Sequence, residues 1–211
     1  MDCLPRRAAL SRRSLLALGA SGVATAAAGA LGPGAALAAP QPPAPQGDDL
    51  GFLAFGAVAE GATRAFYHQA LATPGLFDAS ERRRLIQAGR AKREHVVRLA
   101  AAMGPDAVGG GDFETDLPKS SFATRAKALV LGERLEELLV GVYLNGAGYA
   151  ADPGTRLLIG RLLTSDAQLL GSLRAMSGKA IGAGLPGPMT TEQAGDALDK
   201  LITVPGSPGG R

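Results

Sequence analysis

Residues 122–144 read FATRAKALVLGERLEELLVGVYL, and this stretch decides the fold. Its apolar residues recur every three or four positions, which predicts an amphipathic helix. The same face also carries a carboxylate, Glu136, and a phenol, Tyr143. Because a buried carboxylate is costly unless it is paired or bound to a metal, we expect a polar centre inside the fold.

Three further long segments show the same helical periodicity, and Gly- and Pro-rich breaks separate them. No segment alternates with a period of two, so we predict no sheet. The expected fold class is all-α, an antiparallel four-helix bundle with a short C-terminal fifth helix across one end. The predicted helices cover about 49–72, 79–103, 121–150, 153–177 and 191–202.

The inner faces of the four long helices carry ionisable residues near their middles. Each helix directs one such residue at the core, and the second helix directs two. Groups buried at a similar depth in a bundle are expected to meet. These residues are Glu60, Lys92, His95, Glu136 and Asp166.

An internal repeat relates the two halves of the chain. Glu60 precedes Tyr67 by the same spacing as Glu136 precedes Tyr143. The first two helices therefore resemble a copy of the third and fourth. We expect the two glutamates to face each other across a pseudo-two-fold axis, with both tyrosines hydrogen-bonded to glutamates in the core.

The N-terminal segment has the features of an export signal. Arg12-Arg13 precede an uncharged run rich in Ala and Gly at 15–37, and Ala36-Leu37-Ala38 has the small-x-small cleavage pattern. We predict a twin-arginine signal peptide over 1–38, with the twin-arginine translocase as its export partner. The protein is then expected in the periplasm, the cell envelope or the extracellular space. An uncleaved membrane anchor is the alternative.

The remaining sequence predicts a Pro-rich linker at 39–49, one bundle domain at 50–203 and a disordered tail at 204–211. The signal segment holds four Arg and one Asp, so the 22 basic and 19 acidic residues of the whole chain become 18 and 18 without it. With this balance, and with no basic stripe with interleaved aromatics, we expect no nucleic-acid partner. The single cysteine, Cys3, lies in the signal segment, which excludes a disulfide or thiolate site in the cleaved protein. We expect no stable membrane span after cleavage and a monomer or homodimer.

Several stretches carry a resemblance to a known family. They are AEGATRAFYHQAL at 59–71, REHVVRL at 93–99, the stretch at 122–144, and PMTTEQ at 188–193. In these stretches the chain resembles the ferritin-like superfamily and, within it, the exported or desiccation-related ferritin-like proteins. The resemblance implies a four-helix bundle and raises the question of a di-metal site.

The family's di-metal site takes one Glu from each of two helices and a Glu-x-x-His pair from each of the other two. Carried over position by position, the pattern keeps both single glutamates and one histidine, shortens one paired Glu to Asp and loses two ligands. Lys92 and Leu169 stand in the two lost places. The candidate metal-site residues that remain are Glu60, His95, Glu136 and Asp166.

Two functional hypotheses follow from this degenerate ligand set. The Lys92 ammonium neutralises carboxylates that iron would otherwise balance, which disfavours a ferroxidase-type di-iron centre. The first hypothesis is a non-enzymatic envelope protein with a role in stress protection or binding. The alternative is a metal-binding oxidoreductase or iron-handling protein that holds iron or another divalent ion weakly. We assign no catalytic residue, interpret Glu133 and Glu137 as surface members of charged pairs, and place His68 at the surface or its boundary.

Overall fold

The computed structural model describes residues 48–107, 115–182, 184 and 186–202. No strand occurs within these ranges, and the all-α prediction is confirmed. The predicted signal peptide, nearly all of the linker and the C-terminal tail lie outside the described residues. The five α-helices are α1 (Asp48–Ala72), α2 (Ala79–Met103), α3 (Arg125–Tyr149), α4 (Pro153–Met176) and α5 (Thr191–Asp199). Short 3-10 helices cover Gly104–Asp106 and Lys119–Phe122.

Two helices begin at the capping residues that the sequence indicates. The Asp78 side chain accepts a hydrogen bond from the Glu81 N–H, and the Glu81 side chain accepts one from the Asp78 N–H. This reciprocal arrangement is a capping box at the start of α2. At the start of α4, the Asp152 side chain accepts from the Thr155 N–H, and Pro153 occupies the first helical position.

The third helix begins later than the periodicity predicts. Residues Lys119–Phe122 form a 3-10 turn, and α3 starts only at Arg125. The reason is local, because the Thr124 side chain accepts a hydrogen bond from the Lys127 N–H and so fixes the helix N-terminus. The fifth helix ends at Asp199, three residues before the predicted end.

Side-chain pairs establish the directions of the helices. As α1 runs from Glu60 to Tyr67, its partners on α3 run backwards from Tyr143 to Glu136. Contacts between α1 and α2 and between α3 and α4 show the same antiparallel order. It follows that α2 and α3 run in the same direction. Among the described residues, no helix is long and apolar enough to cross a membrane.

The short fifth helix packs on α1 and α3. Its buried contacts are made by Ala194 and Leu198. The segment before it is tied to α3, since the Met189 N–H donates a hydrogen bond to the Gly141 carbonyl at 2.9 Å. This segment and α5 therefore close one side of the bundle.

Asp49 anchors the start of α1, at the boundary between the predicted linker and the predicted first helix. Its side chain is buried, with 2% of the residue exposed. Its two carboxylate oxygens accept hydrogen bonds from the N–H groups of Ala151 and Asp152, both at 2.7 Å. The carboxylate thus joins the first turn of α1 to the turn between α3 and α4.

Replacing Asp49 with Ala is expected to lower the free energy of unfolding by about 2 kcal/mol, because two partly buried N–H groups lose a charged acceptor. Urea denaturation followed by circular dichroism measures the change. The matched control is Asp196→Ala, which removes an exposed carboxylate from α5. Equal stabilities for the two variants would contradict the anchoring role.

Candidate metal centre

Five ionisable side chains from the four long helices meet inside the bundle. Four of them are fully buried, and only 6% of His95 is exposed. Periodicity places each one on the inner face of its helix, so the antiparallel packing brings them to one level. The five are Glu60 on α1, Lys92 and His95 on α2, Glu136 on α3 and Asp166 on α4.

The ammonium of Lys92 lies at the centre of this cluster. Its Nζ is 2.7 Å from Asp166 Oδ1, 2.8 Å from Glu136 Oε2 and 3.1 Å from Glu60 Oε2. Burial alone would lower the pKa of Lys92, but the three carboxylates raise it above its ordinary value. Lys92 is therefore a permanent cation held among three acids.

His95 supplies a second positive charge. Its Nδ1 is 2.9 Å from Glu60 Oε1 and 3.3 Å from Asp166 Oδ1. Burial opposes protonation of the ring, but the bonds to Asp166 and Glu60 raise the pKa of His95 to about 9. At neutral pH the imidazolium donates a hydrogen bond towards these carboxylates.

Two tyrosines complete the cluster in a symmetric way. The Tyr67 hydroxyl donates to Glu136 Oε1 at 2.7 Å, and the Tyr143 hydroxyl donates to Glu60 Oε1 at 3.0 Å. Burial and the nearby carboxylates raise the pKa of both tyrosines well above the usual value, so both stay neutral donors. These reciprocal bonds follow the equal Glu-to-Tyr spacing of the two halves, and they confirm the interpretation of both tyrosines as core residues bonded to glutamates.

The three carboxylates differ in how readily they ionise. Burial, together with the charge of Asp166, raises the pKa of Glu136 to about 7 in spite of Lys92. Burial also raises the pKa of Asp166. For Glu60, burial is outweighed by Lys92 and His95, which hold its pKa below the ordinary value. Glu136 and Asp166 are therefore the carboxylates of the cluster that take up a proton most readily, whereas Glu60 stays ionised.

Two charged or titratable residues outside the cluster, His68 and Glu133, differ in their exposure to solvent. His68 is exposed, in agreement with the sequence analysis. Glu133 is only 3% exposed, so its interpretation as a surface residue is wrong. It accepts hydrogen bonds from the Ser177 hydroxyl and, at 2.6 Å, from Lys179 Nζ. Both partners lie after α4, and no helical periodicity on α3 could indicate them.

Comparison with protein-family models decides the family. The model of the ferritin-like domain matches residues 48–179, which span the four long helices and the whole cluster. The chain belongs to the ferritin-like domain family. Neither the curated proteins nor the solved structures gave a match.

The donor set of this ferritin-like protein does not fit a di-metal centre. Lys92 contacts the carboxylate oxygens that a metal would need, and Leu169 packs against the core where the second histidine is expected. A smaller candidate site has three donors, because one ligand atom each from Glu60, His95 and Asp166 lies within 4.8 Å of the others. Within the described residues, Asp166 Oδ2 is buried and accepts no hydrogen bond. Metal binding by this triad requires His95 to lose its proton.

The stability of the ferritin-like bundle is expected to fall as the pH rises. The folded-state pKa of His95, about 9, exceeds the ordinary value of 6.5. Its contribution is therefore fully present below pH 6.5 and is lost as the pH rises through 9, with a loss on the order of 3 kcal/mol. The raised pKa of Glu136 acts in the same direction between its ordinary value of 4.5 and about 7.

Urea unfolding at a series of pH values tests this expectation, with His95→Gln as the comparison. Gln keeps a hydrogen-bond donor near Glu60 but does not titrate. The variant should lose the decline above pH 6.5 and keep the decline at lower pH. Parallel profiles for the two proteins would contradict the assignment to His95.

Proposed function

We propose that this protein is an exported, non-enzymatic ferritin-like bundle of the cell envelope, with a binding or stress-protection role. One observation carries the proposal: the Lys92 ammonium lies within 3.1 Å of an oxygen from each of three buried carboxylates. The family's metal position is then replaced by a side-chain cation that the chain supplies itself.

The physical basis is competition for the same oxygens. Two unit charges 4 Å apart interact by about 4 kcal/mol at an effective dielectric constant near 20, and a divalent ion beside an ammonium is repelled about twice as strongly. Lys92 does not yield its proton readily, because the three carboxylates raise its pKa. His95, as an imidazolium, cannot act as a ligand until it is deprotonated. A metal ion can therefore bind these oxygens only if the Lys92 ammonium moves away from them and His95 loses its proton.

A bundle that needs no metal suits the predicted export route. The twin-arginine pathway carries proteins that are already folded, and the Arg12-Arg13 pattern supports that route for this chain. With its inner charges balanced by Lys92 and His95, the bundle can fold before export and stay folded where metal supply varies. Its function then lies in its outer surfaces and in what they contact.

A second candidate function rests on the triad of Glu60, His95 and Asp166. The uncompensated Asp166 Oδ2 offers an additional oxygen for a single divalent ion. A protein that held iron in this way would handle or oxidise it, which is the oxidoreductase alternative. Lys92 is the residue that opposes this function.

Metal analysis separates the two candidates. Protein isolated from its native envelope fraction is measured for iron, zinc and manganese, and then titrated with each divalent ion without oxygen. Substoichiometric and weakly held metal is the expected result. Two tightly bound equivalents, or turnover of ferrous iron with oxygen, would overturn the non-enzymatic proposal.

The double variant Lys92→Glu with Leu169→His is expected to gain tight divalent-metal binding that the parent lacks. These changes restore both missing ligands of the family pattern and remove the competing cation. Cobalt titration followed by visible spectroscopy reports the number and geometry of bound ions. Leu169→His alone, which keeps Lys92, is the control. If this single variant bound metal as tightly as the double variant, Lys92 would not be the obstacle.

A further inference from the structure

The outer face of α2 carries a line of exposed basic and aliphatic side chains. Five residues spaced alternately three and four positions apart fall on one side of the helix. All five are exposed, with 39% of Ile86 and 62% of Val97 accessible. We call this line the basic stripe, and it consists of Arg83, Ile86, Arg90, Arg93 and Val97.

No ion pair within the described ranges joins the arginines of the basic stripe to an acid, although Arg83 lies near enough to the Asp78 carboxyl to help lower its pKa. The two glutamates of α2 are engaged elsewhere, Glu81 with Arg125 and Glu94 with Arg98 at 3.7 Å. The ion pairs of the described chain include none of the three stripe arginines. The three arginines, of which only Arg83 has an acid nearby, therefore give the stripe a net positive charge.

This arrangement lowers the stability of α2 as an isolated helix. Arg90 and Arg93 are like charges three residues apart on one face, which is unfavourable. Arg83 lies near the N-terminus of α2, where the helix dipole favours anions. A negatively charged surface laid along α2 would reverse both effects. An anionic surface in contact with the stripe is therefore expected to stabilise α2.

We propose that the basic stripe docks the bundle on an anionic membrane surface. The arginines would contact lipid headgroups while Ile86 and Val97 enter the boundary between the headgroups and the acyl chains. The aliphatic pair distinguishes a lipid surface from nucleic acid, which exposed Ile and Val do not recognise. No aromatic residue lies on the stripe to stack on bases. This inference goes beyond the proposed function and does not depend on whether the cluster binds metal.

Vesicle co-sedimentation of the full chain tests the proposal. Vesicles of phosphatidylcholine alone are compared with vesicles containing phosphatidylglycerol, so that binding by the N-terminal apolar segment, present in every variant, is measured on the neutral lipid. Each arginine near an anionic surface strengthens partitioning by about fivefold, so Arg83→Gln, Arg90→Gln and Arg93→Gln together should weaken it on the order of a hundredfold. The matched control removes three other exposed, unpaired cations of the described chain: Lys127→Gln, Arg134→Gln and Lys200→Gln.

A local probe keeps the test decisive if the N-terminal segment dominates sedimentation. An environment-sensitive fluorophore is placed on Gln87→Cys beside the stripe, or on Ala126→Cys on α3, each in a Cys3→Ser background. Only the Gln87 probe should respond to anionic vesicles, and Ile86→Ser with Val97→Ser should reduce its response.

Three outcomes would overturn the proposal. The first is no response at Gln87 to anionic vesicles. The second is an equal loss of binding in both triple variants, which would show that net charge alone is responsible. The third is binding to soluble polyphosphate as tight as to vesicles and unaffected by loss of Ile86 and Val97, which would make the stripe a general polyanion site.

Discussion

Replacing Lys92 with Met is expected to lower the free energy of unfolding at neutral pH by about 3–5 kcal/mol. Met has a similar length but no charge, so Glu136 loses its ammonium contact at 2.8 Å and Asp166 loses its contact at 2.7 Å. Among the described residues, His95 then remains as the only cation that contacts these buried carboxylates. Urea denaturation at pH 7 measures the loss.

The matched control is Lys127→Met, which removes an exposed lysine from α3 and should change stability by less than about 0.5 kcal/mol. A compensated variant adds Glu136→Gln and Asp166→Asn to Lys92→Met. Neutral groups of the same shape remove the uncompensated charge, so most of the lost stability should return. If Lys92→Met alone cost under about 1 kcal/mol, the ammonium would not be the counter-ion of the cluster.

Divalent metal provides a further arm of the same experiment. A ligand that binds only the folded state raises its stability in proportion to the logarithm of its concentration. With Lys92 replaced by Met, zinc or manganese should stabilise the variant through Glu60, His95 and Asp166. The parent should show little change in the same titration. Stabilisation of both proteins to the same degree would favour the metal-binding alternative.

The sequence predicts most of the architecture because the helices encode it locally. Apolar spacing and capping residues such as Asp78 and Asp152 define where helices lie, and short connections make their neighbours antiparallel. The equal spacing of Glu60 to Tyr67 and of Glu136 to Tyr143 also predicts that the two glutamates face each other and that the tyrosines bond to glutamates. The family match over 48–179 agrees with this reading.

The parts that sequence reasoning missed depend on partners distant in the chain or outside periodic segments. The anchoring contacts of Asp49 are not predicted because the N–H groups that it binds belong to a turn about a hundred residues later. Glu133 reads as a surface residue because its partners follow the end of α4. The raised pKa values of Glu136 and Asp166 depend on burial and on neighbouring carboxylates, which spacing alone does not give.

Two glycines at equivalent positions of the repeat let α1 and α3 approach each other. Gly56 and Gly132 each lie four residues before a cluster glutamate. A Cβ atom at Gly56 would lie 2.9 Å from the Tyr143 hydroxyl, which donates a hydrogen bond to Glu60. A Cβ atom at Gly132 would lie 2.5 and 2.6 Å from two ring atoms of Phe66. Phe66 is fully buried, so its ring has no free space into which it can move.

Gly132→Ala is therefore expected to destabilise the bundle by about 3 kcal/mol, at the upper end of the cost of overpacking a close-packed core. The matched control is Gly160→Ala in the middle of α4, where no neighbouring atom lies within 4 Å. Because Ala favours a helix over Gly, that control should gain about 0.5–1 kcal/mol. Thermal and urea unfolding compare the two variants. Equal stability would mean that α1 and α3 separate without cost, and that would contradict the tight interface on which the facing Glu–Tyr pairs depend.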